Sequence, residues 1–353
     1  MKIGVYTLHL VHNYGAQLQA YATSRFLNFI TPTHCNIELV NIKAHREKHT
    51  FRWFIKNITL SYLIRRYRFW QFHKRLSLSP TKKLEQIFKN PLDYDLHITG
   101  SDQIWNVSFG MPKFPVYFLP FITNKPKIAL ASSFGVSTLP DSVKPHIKKF
   151  LSSFDSISTR EIDGVKILNE LDIQGKLLLD PTFWLDEQEW LNLAGETPII
   201  HGEYVAAYNF EPNNANSQAL FLHAREYYKL PIVNIDGSRR LKKYAHQYNS
   251  AGPKEFLNII KFAKVVITGS FHGTSFSIIF RKNFYVLAHS LRNSRMESLL
   301  KQLELTDRML YDEKDFNKIG LPIDYDATYS ILTHLQADSR NYITQTVNKY
   351  IHS

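Results

Sequence analysis

The chain has 353 residues, of which 44% are hydrophobic, 14% aromatic and 21% charged. This length suits two domains of about 150–200 residues, and the composition excludes a disordered chain and a disulfide scaffold. The single cysteine, Cys35, excludes an intrachain disulfide and a four-cysteine zinc site, and it favours a reducing, cytoplasmic location. No apolar run reaches the roughly 18 residues of a membrane span. The first residues lack the pattern of a secretory signal peptide, so we expect neither feature.

The net charge of +12 is concentrated in one stretch of the chain. Residues 43–83 contain twelve Lys or Arg, one acidic residue and eight aromatic residues, so they contribute +11. Basic residues interleaved with Trp, Phe and Leu are typical of an amphipathic helix on an anionic membrane surface. The pattern also suits single-stranded nucleic acid, or a helical excursion whose aromatic side chains pack on the protein body. Because no nucleic-acid-binding module accompanies it, we expect an anionic membrane surface as partner and no nucleic acid.

Short apolar runs alternate with polar loops and helical patterns along the whole chain. Strands are predicted at residues 2–7, 37–42, 95–99, 127–132, 156–158, 176–179, 204–208, 231–235, 264–268 and 283–287. Helices are predicted at residues 16–30, 253–263, 274–280 and 330–352. This alternation predicts an α/β protein with parallel sheets covered by helices on both faces.

The alternation is interrupted near residues 184–203, which predicts two Rossmann-like domains. We place the first at residues 1–190, with a basic aromatic helical insertion at about 43–83, and the second at residues 203–330. The final helix, 331–353, is expected to pack back on the first domain. In doubly wound sheets ligands bind beyond the carboxyl ends of the strands, so we expect the loops there to meet at a cleft between the domains.

The loop 269–273 carries the clearest candidate site. A strand ends there and a helix begins, so backbone N–H groups and the positive end of the helix dipole favour an anion. Ser270 and His272 add donors, and histidine titrates near neutral pH. The alternative is a packing turn with a structurally satisfied histidine. No Walker motif accompanies Gly273, so the glycines by themselves do not indicate a phosphate site.

Other polar residues follow the predicted strands of the first half. Asp102, next to Ser101, is a candidate base for a sugar hydroxyl or the cap of the following turn. Arg160 suits bidentate binding of a carboxylate or phosphate, and it is equally compatible with a surface pair with Glu161 or Asp163. Asp180 precedes Pro181, which favours a structural turn.

The segment Asn13-Tyr14-Gly15 resembles a helix start whose amides face the predicted cleft. The fifteen histidines form no HExxH motif, so we expect no metal.

Several of these sequence motifs, taken in order, resemble the polysaccharide pyruvyltransferase family. The resemblance rests on Asn13-Tyr14-Gly15-Ala16, Gly100-Ser101-Asp102-Gln103-Ile104-Trp105-Asn106, Ala131-Ser132-Ser133-Phe134-Gly135, Ser158-x-Arg160-Glu161, Asp180-Pro181-Thr182, Gly252-Pro253-x-Glu255-Phe256-Leu257 and Ser270-Phe271-His272-Gly273-Thr274. Together these motifs are specific, and each alone is not. Arg295 continues the pattern, whereas residues 43–83 and the tail beyond about 310 match less well.

The resemblance implies a GT-B-like fold of two Rossmann-type domains. It also implies transfer of a pyruvyl group from phosphoenolpyruvate to two hydroxyls of a glycan or lipid-linked sugar, giving a cyclic ketal and phosphate, with no cofactor. The implied catalytic residues are His272 and Asp102. The implied phosphoenolpyruvate-binding residues are Arg160, Ser270, His272, Gly273 and Arg295. The implied acceptor-binding residues are Asn13, Tyr14, Gly15, Ser101 and Asp102.

One position departs from the family pattern. Some members carry an arginine two residues before the histidine, where this chain has Ser270, so neutralisation of the donor relies more on Arg160, Arg295 or backbone amides. Two other functions stay open at this point: a GT-B glycosyltransferase using a nucleotide sugar, and a non-catalytic membrane-peripheral assembly factor. A cytoplasmic enzyme on the inner membrane face, as monomer or homo-oligomer, is compatible with these features.

Overall fold

The computed structural model describes residues 1–43, 59–109, 115–208, 210–211, 214–235, 245–290 and 293–351. The chain divides into two compact units. The first comprises Met1–Lys48, His73–Leu185 and Thr333–Ser353, and the second comprises His49–Phe72 and Asp186–Leu332. Residues 44–58 of the predicted basic insertion lie outside the described residues.

The strands are short and the helices follow them in alternation. The strands are β1 (Lys2–Tyr6), β2 (Asn36–Leu39), β3 (Ile42–Lys43), β4 (Lys82–Lys83), β5 (Leu96–Thr99), β6 (Lys127–Ser132), β7 (Ser156–Thr159), β8 (Lys176–Leu177), β9 (Val205–Tyr208), β10 (Ile232–Asn234), β11 (His246–Gln247), β12 (Val265–Thr268), β13 (Asn283–Leu287) and β14 (Met309–Leu310). The helices are α1 (Tyr14–Ile30), α2 (Leu60–His73), α3 (Leu84–Lys89), α4 (Lys144–Leu151), α5 (Ile162–Glu170), α6 (Glu187–Ala194), α7 (Ala215–Tyr228), α8 (Pro253–Phe262), α9 (Phe271–Ile279), α10 (Ser294–Gln302) and α11 (Tyr325–Ile351).

Each unit is built on one parallel six-stranded sheet. The first sheet has the order β2-β1-β5-β6-β7-β8 and the second β11-β10-β9-β12-β13-β14. The predicted α/β fold with two parallel-sheet domains is therefore confirmed. The central strands β5, β6 and β12 are buried along their whole length, as expected for strands of a parallel sheet that is covered on both faces.

Helix α2 belongs mainly to the second unit, whereas the sequence interpretation assigned its segment to the N-terminal domain. The reason is an ion pair between Arg68 Nε and Glu255 Oε1 at 3.2 Å, together with a hydrogen bond from Arg68 Nη1 to the carbonyl of Ser250 at 3.0 Å. Side-chain pairing, and not chain order, therefore decides that α2 lies in the second unit.

The last helix, α11, begins at Tyr325, five residues before the predicted start at 330. Asp324 caps it, because Asp324 Oδ1 accepts from Ala327 N at 3.0 Å. Its C-terminal part is assigned to the first unit, where Ser339 Oγ accepts from Leu179 N at 3.0 Å and Arg340 Nε donates to the carbonyl of Trp184 at 2.8 Å. Within the described part of the chain, no helix combines the length and hydropathy needed to cross a bilayer.

Candidate functional site

The strand order of each sheet reverses at one point, and the candidate residues follow the strands on either side of it. In the first sheet the reversal lies between β1 and β5, and in the second between β9 and β12. Loops beyond the carboxyl ends of such neighbouring strands diverge and leave a crevice, which is where ligands bind in open α/β sheets. Asn13 and Asp102 lie in these loops in the first unit, and in the second Ser270 ends one of them and His272 follows in the first turn of α9.

Arg160, just after β7, is the centre of a buried polar network in the first unit. Its side chain is 0% exposed. Nη1 donates to Asp180 Oδ2 at 2.5 Å and to Ser101 Oγ at 3.3 Å, and Nη2 donates to Asp102 Oδ1 at 3.3 Å. The other Asp180 oxygen, Oδ1, accepts from both the backbone and the hydroxyl of Thr182. The network therefore joins the ends of β5 and β7 to the turn that follows β8.

The charges in this network are mutually dependent. Burial lowers the pKa of Arg160, but the charges of Asp180, Asp102 and Glu161 outweigh burial, so that the pKa is raised overall. A buried guanidinium is stable only when its carboxylate partners are present, because a buried charge without a partner strongly destabilises the fold. The alternative of a surface pair of Arg160 with Glu161 or Asp163 does not hold, because Arg160 and Glu161 are both buried and Asp163 pairs with Lys166. The predicted donor contact of Arg160 stays a prediction.

Asp102 adopts a strained backbone conformation at the end of β5. Its φ is 80°, in the left-handed region that side chains other than glycine rarely occupy. Its Oδ1 accepts from Gln103 N at 2.8 Å as well as from Arg160, so this oxygen is held by its own turn and by the guanidinium. The base and the cap of the following turn both stay predictions for this residue. Burial and then the charge of Asp102 raise the pKa of Tyr117, so this phenol stays protonated beside the carboxylate.

Glu161 holds the Ser133–Gly135 loop, a role that the sequence analysis did not assign to it. Its Oε1 accepts from Ser133 Oγ at 3.0 Å, from Phe134 N at 2.7 Å and from Gly135 N at 3.2 Å. Gly135 has a φ of 63°, and a Cβ there would lie 2.3 Å from Gln103 Oε1. Only glycine fits where this loop meets the Ser101–Asn106 motif. The only signal in the sequence was an acidic residue directly after a predicted strand. Its burial, which reveals the role, cannot be seen in a single sequence.

The beginning of α1 is tied to the same motif. Asn13 is exposed and caps the helix through Oδ1, which accepts from Ala16 N at 3.0 Å, whereas Tyr14 and Gly15 are buried. Thr7 Oγ1 donates to the carbonyl of Ser101 at 2.8 Å, and this links the end of β1 to the loop after β5. Of the predicted acceptor-binding residues, Asn13 is exposed, while Ser101, Tyr14 and Gly15 are covered by protein and the Asp102 side chain is 12% exposed.

His9, in the loop after β1, stacks on His73, with ring centroids 5.6 Å apart and an interplanar angle of 10°. Its Nδ1 lies 2.9 Å from the carbonyl of Thr7, which can only accept, so Nδ1 carries the proton. Its Nε2 is buried and has no hydrogen-bond partner among the described residues. Burial, reinforced by His73, lowers the pKa of His9 to about 4, although the Thr7 carbonyl opposes this shift.

In the second unit, Ser270 caps α9 and positions His272 in its first turn. Ser270 Oγ accepts from Gly273 N at 3.4 Å, and Thr268 Oγ1 accepts from Ser270 N at 3.1 Å. A Cβ at Gly273 would lie 2.3 Å from Thr268 Oγ1, which explains the glycine. His272 is 6% exposed. The first turn of a helix carries N–H groups that the helix does not satisfy, so this terminus favours an anion.

Two further groups flank this loop. The Arg295 guanidinium carbon lies 5.9 Å from the ring centroid of Phe271, so α10 brings a cation to the start of α9. Glu211, after β9, accepts from both the backbone and the hydroxyl of Ser290, at 3.0 and 2.8 Å, and lies 3.5 Å from His289 Nε2. The sequence interpretation missed Glu211 and His289, since neither stands in a motif. They connect the loop after β9 with the loop after β13, and these two strands are the neighbours of β12 in the sheet.

A cavity lies at the opposite edge of the first sheet. It has a volume of about 760 Å³ and is lined by Lys125, Lys127, Lys149, Asp155 and Tyr350 among others. Lys127 is the first residue of β6 and Asp155 immediately precedes β7, so this cavity faces the amino ends of the strands. It is therefore separate from the candidate residues, which follow the carboxyl ends.

The network predicts that Arg160→Leu lowers the free energy of unfolding by about 3–5 kcal/mol, because it leaves Asp180 and Asp102 buried without their cation. Urea unfolding followed by circular dichroism measures this. Arg25→Leu, on the exposed surface of α1, is the matched control and should stay within about 0.5 kcal/mol of wild type. Equal stability of both variants would show that the guanidinium does not hold the network together.

The buried His9 predicts a loss of stability in mild acid. Its pKa in the folded state, about 4, lies below the ordinary value of 6.5, so the unfolded chain binds more protons as pH falls between these values. Above about pH 6.5 His9 is neutral in both the folded and the unfolded chain, so it does not lower the free energy of unfolding. At pH 5 the difference in pKa lowers the free energy of unfolding by about 2 kcal/mol. His9→Gln should therefore show a flatter decline in unfolding free energy from pH 7.5 to 5. The exposed His146→Gln should retain the wild-type slope, and the same slope in His9→Gln would contradict the assignment.

Comparison with solved structures shows what the fold resembles. The chain is similar to the UDP-GlcNAc 2-epimerase of Methanocaldococcus jannaschii, with a TM-score of 0.55 and 11% identity over 99% of this chain and 100% of that chain. The Neisseria meningitidis UDP-GlcNAc 2-epimerase gives a TM-score of 0.53 and 9% identity over 99% and 100%. A spinosyn forosaminyltransferase gives 0.51 and 11% over 100% of both chains. Such low identities show the fold alone, and the predicted GT-B-like fold is confirmed.

Comparison with curated protein sequences gives no match. The profile of the polysaccharide pyruvyl transferase family, however, matches residues 13–290, which contain every motif of the resemblance, from the cap of α1 to the start of α9. This match covers well over half of the chain. The chain therefore belongs to the polysaccharide pyruvyl transferase family, and it is an enzyme of polysaccharide pyruvyl transfer.

Proposed function

We propose that the enzyme transfers the pyruvyl group of phosphoenolpyruvate to two hydroxyls of one sugar in a polysaccharide or its lipid-linked precursor. The product is a cyclic ketal and the leaving group is phosphate. The observation that carries the proposal is the capped start of α9 at the strand-order reversal of the second sheet. There a buried histidine, a helix terminus and Arg295 lie close in the structure.

Phosphoenolpyruvate carries a phosphate and a carboxylate, so its site needs several donors of positive potential. The helix terminus supplies N–H groups, and Arg295 supplies a cation beside Phe271. Ser270 is engaged as a cap by its Oγ, so its contribution to donor binding is to hold the first turn in place. This arrangement compensates for the absence of an arginine at position 270.

The reaction needs proton transfers that balance. An acid adds one proton to the methylene carbon of the enol, which turns it into a methyl group and leaves an oxocarbenium-like C2. Attack on C2 by two hydroxyls breaks the C2–O bond to phosphate and forms two C–O bonds. Of the two hydroxyl protons released, one replaces the proton given to carbon and the other goes to phosphate. We assign the acid role to His272, since imidazole exchanges protons near neutral pH.

In the first unit we assign the contact with the acceptor to Asn13 and Asp102. Asp102 is the proposed base, because its carboxylate stands at the end of β5 in a strained conformation imposed by its surroundings. Ser101, Tyr14 and Gly15 are covered by protein, whereas 12% of the Asp102 side chain is exposed, so we assign these three the positioning of Asn13 and Asp102 instead of contact with the sugar. Arg160 then acts through Asp102, to which it donates at 3.3 Å.

The donor is identified by ligand-dependent thermal stability. Phosphoenolpyruvate at about a hundredfold excess over its dissociation constant should add about 2.7 kcal/mol to the unfolding free energy, which is a clear rise in melting temperature. Inorganic phosphate and pyruvate, tested separately, are the matched controls and should shift it less. A shift with UDP- or GDP-sugars and none with phosphoenolpyruvate would instead support a nucleotide-sugar glycosyltransferase.

His272→Ala is expected to lower the rate of phosphate release from phosphoenolpyruvate by about 100-fold or more, because a general acid is lost. The assay requires a panel of lipid-linked and soluble sugars as acceptors. His201→Ala is the control, since His201 is exposed and precedes β9 at the amino edge of the same sheet. Circular dichroism should show that both variants are folded. Wild-type turnover in folded His272→Ala would remove this residue from the mechanism.

A further inference from the structure

Helix α2 has a buried inner face and an exposed outer face, and the inner face packs on the rest of the protein. Phe69 and Phe72 are 1% and 2% exposed. Arg68 is on the same side, paired with Glu255 at 3.2 Å and hydrogen-bonded to Ser250 at 3.0 Å. These contacts hold the helix in one orientation and therefore determine which residues lie on its outer face.

The outer face of α2 is a continuous apolar stripe. Leu60, Leu63, Tyr67 and Trp70 are 74%, 50%, 55% and 52% exposed. Their spacing of three, four and three residues places them on one side of an α-helix. Large apolar side chains clustered in this way on a surface mark an interaction site, whereas single exposed ones do not.

Positive charge borders the stripe. Arg66, Lys74 and Arg75 are exposed, and Arg66 lies over the Tyr62 ring at 5.8 Å from its centroid. The sequence from 60 to 83 contains no acidic residue. A surface that combines Leu, Trp and Tyr with basic residues is complementary to a partner that is apolar inside and anionic at its boundary.

We propose that the outer face of α2 seats the protein on an anionic lipid surface. Its 14 residues extend about 21 Å, too short to cross a bilayer, so the helix lies in the plane of the interface. Tyr67 and Trp70 suit the headgroup level, where one side of the ring is apolar and the other polar. The structure refines the sequence-based expectation, because it turns Arg68 inward and leaves Arg66, Lys74 and Arg75 to meet the lipid phosphates.

The full-length protein is tested by sedimentation with vesicles of phosphatidylcholine alone and of phosphatidylcholine mixed with phosphatidylglycerol. The wild type should bind the mixed vesicles and release them at high salt. Leu63→Ser/Trp70→Ser should lower the vesicle partition coefficient at least tenfold. Arg66→Gln/Lys74→Gln/Arg75→Gln should lower it about a hundredfold, since each cation near an anionic leaflet contributes about fivefold.

A matched control removes exposed apolar side chains elsewhere. Phe29 on α1 and Leu222 on α7 are 84% and 42% exposed, and Phe29→Ser/Leu222→Ser should bind vesicles like the wild type. Thermal melts should show that all variants are folded. Because no step uses catalysis, this result does not depend on the proposed reaction.

Three outcomes would overturn the proposal. The first is wild-type protein that does not bind the mixed vesicles at low salt. The second is equal binding by the α2 variants and the Phe29/Leu222 control. The third is sedimentation-velocity data in which the wild type self-associates, the α2 variants are monomeric and none of them binds lipid, since the stripe would then be an interface between copies of the chain.

Discussion

The buried guanidinium of Arg160 organises the carboxyl edge of the first sheet. It donates hydrogen bonds to Asp180, Asp102 and Ser101, which lie in two different loops. If either loop moved, a buried charge would lose its partner. Removing ions from water is costly, so the network is stable only when all members are in place. This requirement gives the edge a single geometry and fixes the unusual backbone of Asp102.

The second unit builds its edge in another way. There the positions are set by hydroxyl and backbone groups: Thr268 holds Ser270, and Ser270 holds the N–H of Gly273. Positive potential comes from a helix terminus and from Arg295, and not from a cation enclosed by acids. The two units thus present different chemistry, a carboxylate held by an ion pair in one and a capped helix start with a histidine in the other. The proposed reaction assigns the sugar acceptor to the first and the pyruvyl donor to the second.

Helix α2 shows how one short segment serves two surfaces. Arg68 and Phe69 belong to the inner face, and Tyr67 and Trp70, their immediate neighbours in the chain, belong to the outer one. The basic and aromatic residues of α2 therefore have two roles, since some pack on the protein and others lie on its surface. Composition by itself cannot separate them, because both faces contain aromatic and basic residues.

The sequence by itself determined the α/β fold, the strands such as β6 and β13, and the loops that hold Asp102 and Arg160, because these depend on local periodicity and on motifs. It placed His272 in a loop, whereas α9 already begins at Phe271. Only the tertiary structure showed that Arg160 is enclosed by Asp102 and Asp180, residues 58 and 20 positions away. It likewise revealed the roles of Glu161 and Glu211 and the unit on which α2 packs. Those features depend on which strands become neighbours and on which side chains lose contact with water, and a single sequence records neither.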